Sequence, residues 1–218
     1  MKGENITIEE ARELVSNRLL WPLVRDFLWD FAPSIHASWM EGLQASDIPS
    51  QDASPRIKRF ILDSLHVEPC FHTFPADDGS RIMLLDGATL ESIIKWLGAL
   101  ACAESLRRVT SGEVVRRLKA ALPGIYPEVF GYTAYFKDLA ARGDVGSRSE
   151  DIVSEVVGAG YGFMFSVFSK LPASVVARAK FKIPRDFLVS CPPREIALTV
   201  VLKLLKLKFP EAYKLCCS

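Results

Sequence analysis

The stretch Thr89–Leu122, TLESIIKWLGALACAESLRRVTSGEVVRRLKAAL, constrains this chain more than any other. Apolar residues recur at Leu90, Ile93, Ile94, Leu97, Leu100 and Ala101. That three-four spacing gathers them on one helix face. Asp86-Gly87 reads as a turn and Thr89 as the helix cap. Glu91 and Lys95 stand four apart in the order that favours an exposed pair. Gly98, Cys102 and Ser105 form a second stripe, of small side chains. Small residues let a neighbouring helix come close, so this helix is predicted to be packed on two sides, as the centre of an all-helical domain requires. It should end near Val109. Thr110-Ser111-Gly112-Glu113 then has the form of a capping box. A second helix follows with Val114, Val115, Leu118, Ala121 and Leu122 inward, and Pro123-Gly124 stops it.

The remaining chain reads the same way. A capping box at Thr7–Glu10 opens a helix over Ile8–Leu20, which Trp21-Pro22 breaks or kinks. Short helices are predicted over Ile35–Leu43, Arg56–Leu65 and Ala173–Ala179, longer ones over Ile152–Leu171 and Pro193–Phe209, and Tyr126–Ala141 includes a helix carrying Phe130, Ala134, Tyr135 and Leu139. Arg56–Leu65 carries Ile57, Phe60, Ile61 and Leu65 on one side. Arg81–Leu85 is a strand or an approach to the central helix, and Phe181–Pro184 is extended. Residues 44–55 and 142–151 are polar and are expected to be flexible loops. The expected architecture is all-α (mainly α): one irregular helical bundle over residues 1–218, with about eight to ten helices.

At 218 residues with 49% hydrophobic and 24% charged side chains, the chain is long enough for one well-filled core and is not disordered by composition. A net charge of +1 gives no ground for a nucleic-acid partner. The five cysteines, Cys70, Cys102, Cys191, Cys216 and Cys217, follow no disulfide framework and read as reduced thiols of a cytosolic protein. No run approaches the roughly 20 apolar residues that a membrane helix needs, so no direct membrane insertion is expected.

Few residues suggest chemistry. His66, Cys70 and His72 have metal-ligand types, but their spacing is not that of a zinc site and no fourth ligand is evident. The plainer reading is a loop with a buried cysteine and surface histidines. Gly158, Gly160 and Gly162 alternate as in a phosphate loop, yet they sit in an aromatic-rich helical run without the strand-to-helix context. Close helix packing or a kink accounts for them better. His36 has no assignable Ser, Cys or carboxylate partner and reads as a cap or a packing residue. Arg107, Arg108, Arg116 and Arg117 cluster at the joint of the two central helices. They form either a solvated face or a docking surface for an acidic partner. No cofactor motif is present, and no catalytic residue can be nominated.

Four blocks resemble the SctK family (YscK and relatives) of bacterial type III secretion. They are Phe31, Pro33, Ile35, His36 and Trp39; the central helix with Ala103–Arg108 after it; Val156–Pro184, a glycine-and-aromatic helix leading into a K/R-x-P segment; and Pro192–Leu207. The resemblance implies a non-enzymatic adaptor of the sorting platform, in the bacterial cytoplasm and peripheral to the inner membrane. It would link the cytoplasmic forkhead-associated-like domain of SctD to the SctQ pod, and through that to SctL and SctN. The alternatives are a small cytosolic metal-binding protein or enzyme using His66, Cys70 and His72, or a secretion chaperone.

Overall fold

A computed structural model of the chain describes residues 20–41, 55–67, 81–140, 151–171, 173–190 and 194–217. Among them there is no strand. The α-helices are α1 Leu20–Trp29, α2 Ala37–Met40, α3 Pro55–Ser64, α4 Gly87–Ala101, α5 Ala103–Arg107, α6 Gly112–Ala121, α7 Lys137–Ala140, α8 Ile152–Phe168, α9 Ala173–Phe181, α10 Arg185–Ser190, α11 Leu198–Lys208 and α12 Pro210–Cys217. Tighter 3₁₀ turns cover Ala32–Ser34, Ile82–Leu84, Glu128–Gly131 and Thr133–Phe136. The mainly α class is therefore as the sequence predicts, built from more and shorter pieces. The 44–55 and 142–151 loops lie outside the described residues apart from Pro55 and Asp151, as does the helix over Ile8–Leu20 apart from Leu20.

The chain divides into two compact units. One draws its described residues from those up to Gly87, from Phe168–Leu188 and from Phe209 onward; the other comprises Ala88–Val167 and Val189–Lys208.

The second unit holds the central helix. Leu90, Ile93, Ile94, Leu97 and Leu100 are buried almost completely. Each contributes roughly 1.5–3 kcal/mol by leaving water. Trp96, on the flank, is also buried. Glu91 and Lys95 pair on the outside at 2.7 Å. α4 starts at Gly87, two residues before Thr89, so that threonine lies inside the first turn rather than capping it. Cys102, at φ −95° and ψ 8°, puts a hitch between α4 and α5, but the ladder bridges it through Cys102 N–H to Gly98 O and Leu106 N–H to Cys102 O.

The small-residue stripe does what its composition predicts. A Cβ on Gly98 would lie 2.0 Å from Val156 O of α8. A Cβ on Gly160 would lie 2.0 Å from Ile94 O of α4. The two helices therefore meet backbone to backbone, and Gly160 is a packing residue. Gly162 O accepts from Arg194 N–H at 2.8 Å.

Several expectations fail here for identifiable reasons. The capping box at Thr110–Glu113 does not form: the N-cap is Ser111 and its side chain makes no capping bond. Of the predicted α6 face, Leu118 and Leu122 are buried while Val114, Val115 and Ala121 are half-exposed. The residues expected on one helix within Tyr126–Ala141 are divided: Phe130, Ala134 and Tyr135 lie on two 3₁₀ turns and Leu139 on α7. α11 begins at Leu198 rather than Pro193, and it is not the last helix, because Pro210 opens α12. A proline is well accommodated at a helix start, where its missing N–H has no helical partner to lose.

The first unit is tied together by two buried cations on and just after α9. Arg178 Nη1 donates to Phe27 O and to Leu28 O (2.8 Å), the carbonyls of the last turn of α1 that have no helical donor of their own. Its guanidinium lies 5.5 Å from the Phe31 ring centroid. Lys182 Nζ donates to Met83 O at 2.6 Å and Leu85 O at 2.9 Å and sits 5.3 Å from the Phe27 ring centroid. Burial lowers the Lys182 amine to about 8, with Asp86 opposing weakly. Around them Leu20, Val24, Phe27, Ile61 and Ile82 are buried.

Pro22 is the third residue of the described part of α1, and the helix expected before it lies outside the described residues apart from Leu20. Arg81–Leu85 is a 3₁₀ turn leading into α4 and not a strand. Phe181–Pro184 is not extended: Lys182 and Ile183 N–H close turns onto Ala179 O and Lys180 O. Phe60 of α3 is 55% exposed, whereas Ile61 beside it is fully buried. The helix period places Phe60 on the outer side with Arg56 and Asp63.

Candidate partner-binding surface

The arginine joint is formed where α5 stops and α6 begins. Leu106, Val109, Leu118 and Leu122 are buried beneath it, which fixes both helices. Arg107, Arg108, Arg116 and Arg117 are all exposed, as the sequence suggests, but they are not equivalent. Arg107 folds back onto its own unit: its Nη2 donates to Thr133 Oγ1 at 2.8 Å and to Phe130 O at 3.4 Å. Its guanidinium lies 5.7 Å from the Phe130 ring and 3.7 Å from the Glu104 carboxylate. Arg107 is thus in large part a structural brace between α5 and the 3₁₀ turns. No ion pair holds Arg108 or Arg116 among the described residues. With Arg117 and Lys119 they present an excess of positive charge over Glu104 and Glu113.

Beside the brace lies an arrangement that sequence reading missed. Lys208 Nζ sits 4.5 Å from the Trp96 ring centroid and 4.2 Å from that of Tyr132, and pairs with the Glu128 carboxylate. Burial alone lowers the Lys208 amine, but Glu128 and the Tyr132 hydroxyl outweigh it and hold it above the usual lysine range. Lys203, on the same helix, donates to Tyr135 O at 2.8 Å and lies 5.4 Å from the Phe136 ring. The available signal was the Lys203–Lys208 spacing on a nearly apolar helix opposite a Tyr-rich stretch. The partner segment, 75 or so positions earlier, could not be inferred from helical periodicity, which reports only local neighbours.

The metal-type residues are not assembled in the described part of the chain. Cys70 and His72 fall outside it, and no group of three or more His, Cys, Asp or Glu capable of holding a metal occurs among the described residues. His66 has a backbone role. It is exposed, with φ 53°, and its N–H bonds to Asp63 O at 3.1 Å while Val67 N–H bonds to Leu62 O at 2.9 Å. That is the left-handed helix stop in which glycine is most common. His36 caps α2: its Nδ1 accepts from Ser38 N–H at 3.2 Å. Cys102 and Cys216 are buried and Cys217 is half-buried. No helix among the described residues is long and apolar enough to cross a membrane.

Two blocks that carry the family resemblance meet within the first unit. His36 N–H donates to Phe181 O at 2.7 Å, and Trp39 Nε1 donates to Ile183 O at 2.8 Å across 144 positions of sequence. The Trp39 and Phe181 rings pack edge to face at 4.8 Å. Arg185 N–H donates to Ser38 Oγ at 3.0 Å. The x-P-x-I-H and K-I-P segments are therefore one structural knot.

Residues 26–130 match the family model of the YOP proteins translocation protein K (YscK). The chain matches no curated protein and no solved structure. The matched residues, just under half of the chain, run from α1 through the central helix to the arginine joint and the first 3₁₀ turn beyond it, and over them the chain is similar to the YscK family.

Proposed function

We propose that this chain is a non-enzymatic adaptor of the type III secretion sorting platform. It acts in the bacterial cytoplasm, peripheral to the inner membrane, and links the cytoplasmic domain of SctD to the SctQ pod. The match of residues 26–130 to the YscK family model points to a type III secretion protein, and it is the observation that carries this reading. The surface chemistry supports it. Exposed arginines on a rigid joint suit bidentate recognition of carboxylates on a partner. Exposed charge of this kind favours fast, salt-sensitive association.

The test is binding of the full chain to purified SctD cytoplasmic domain and to SctQ, each measured separately. Arg108→Glu with Arg116→Glu should weaken one contact at least tenfold while the helical circular-dichroism spectrum stays unchanged. Arg107 is left intact because its side chain braces the fold. Wild-type protein that binds neither neighbour would sink the adaptor reading. Binding of both that survives the double reversal would move the docking site elsewhere.

A further inference from the structure

Tyr135 and Leu207 are 58% and 42% exposed, conspicuous for an aromatic and a branched apolar side chain in this unit. Neither sits on a loose segment. The backbone of Tyr135 is pinned by Lys203, its ring lies 6.3 Å from that of Tyr132, and Tyr132 is held in turn by Lys208 and Trp96. Leu207 follows Lys203 by one helical turn, so both lie on the same face of α11. Two apolar groups held out in fixed positions lose little entropy on binding, which is the property of interface anchors.

The charge around them has a sign. Lys137, Lys203 and Lys206 are exposed there against Asp138, while Lys208 and Glu128 neutralise each other. At its edge the patch is continuous with the arginine joint, because Arg107 bonds to Thr133, two residues before Tyr135.

We infer that Tyr135, Leu207 and Lys203 extend the arginine joint into one docking strip for an acidic protein segment that places an apolar side chain against Tyr135 and Leu207. The inference rests on the adaptor reading and adds the chemistry of the partner. A protein is favoured over an anionic membrane because two apolar side chains, Tyr135 and Leu207, give little to insert into a bilayer.

The experiment compares wild type, Tyr135→Ser with Leu207→Ser, and Arg108→Glu with Arg116→Glu. The probes are the SctD domain, SctQ, an Asp/Glu-rich peptide carrying Leu and Phe, the same peptide with Lys for each acid, and phosphatidylglycerol vesicles. The expected result is that both variants lose at least tenfold affinity for the same neighbour, and that only the acidic peptide binds, in a manner the Tyr135/Leu207 variant abolishes. Unchanged affinity of the Tyr135/Leu207 variant for both neighbours overturns the proposal, as does equal binding of the two peptides. Vesicle binding lost in that variant overturns it in favour of a membrane. Loss of both neighbours by wild type with peptide binding retained would sink the adaptor reading and leave the strip standing.

Discussion

Gly98 and Gly160 face each other across α4 and α8 so closely that a Cβ on Gly98 would lie 3.0 Å from Gly160 N. The same added atom would be 2.0 Å from Val156 O, and backbone cannot step aside as a flexible side chain can. Gly98→Ala and Gly160→Ala should each destabilise the protein. Overpacking costs about 1–3 kcal/mol and outweighs the gain of about 1 kcal/mol that alanine brings to a helix interior. Gly112→Ala, in open space at the start of α6, should be neutral or stabilising. Urea denaturation of the three variants checks this, and equal stability of all three would refute the close approach.

Lys182 should make stability depend on pH in a defined window. Its folded-state amine is lowered to about 8, so between about 8 and the ordinary lysine value of 10.5 the folded chain holds fewer protons than the unfolded one. Stability contributed by this residue therefore rises with pH across that window and is flat below it. The neutral amine still donates to Met83 O and Leu85 O. Relative to Lys182→Met, wild type should gain on the order of 3 kcal/mol from pH 8 to pH 10.5. Parallel stability curves for the two proteins would contradict it.

Arg107 and Arg116, both exposed arginines, should behave differently. Arg107→Ala removes bonds to Thr133 and Phe130 O and should cost about 1 kcal/mol. Arg116→Ala should stay within about 0.5 kcal/mol of wild type, the usual range for a surface change. Thermal unfolding at matched salt measures both.

Lys208→Met keeps the stem of the side chain but removes the cation from between Trp96 and Tyr132 and leaves Glu128 without its partner. A partly desolvated cation–π contact is worth roughly 1–2 kcal/mol, and the loss should be of that size. Because the amine is held above the usual lysine range, its contribution is fully present below that range and fades only as pH climbs through the raised value. Chemical denaturation at pH 7 and at pH 11 should therefore show a larger wild-type advantage at pH 7.

His66→Gly tests the backbone role of a residue whose side chain resembles a metal ligand. Left-handed geometry costs a non-glycine residue about 1 kcal/mol or more. The substitution should raise stability by about that amount. A loss of stability that zinc restores in the wild type alone would instead support a ligand role.

What the sequence determined by itself was everything that local spacing encodes. The inward face of α4, the helical class, the Glu91–Lys95 pair, the stop at Pro123-Gly124 and the packing role of Gly98 could all be read, because each depends on residues three or four apart or on side-chain size alone. Helix starts were less legible. Thr89 and Thr110 have cap chemistry, yet α4 and α6 begin at Gly87 and Gly112, since tertiary packing of buried leucines outweighs a cap of about 1 kcal/mol. Only the tertiary structure decided which long-range partners close each unit. Trp39 finds Ile183, Lys182 finds Met83 and Leu85, and Lys203 finds Tyr135, across separations that no local period reports. It likewise separated Arg107, spent on the fold, from Arg108 and Arg116, turned outward. The physical reason is that a cation's partner is set by where the packed helices bring carbonyls and rings, and that follows from burial of the whole apolar set at once.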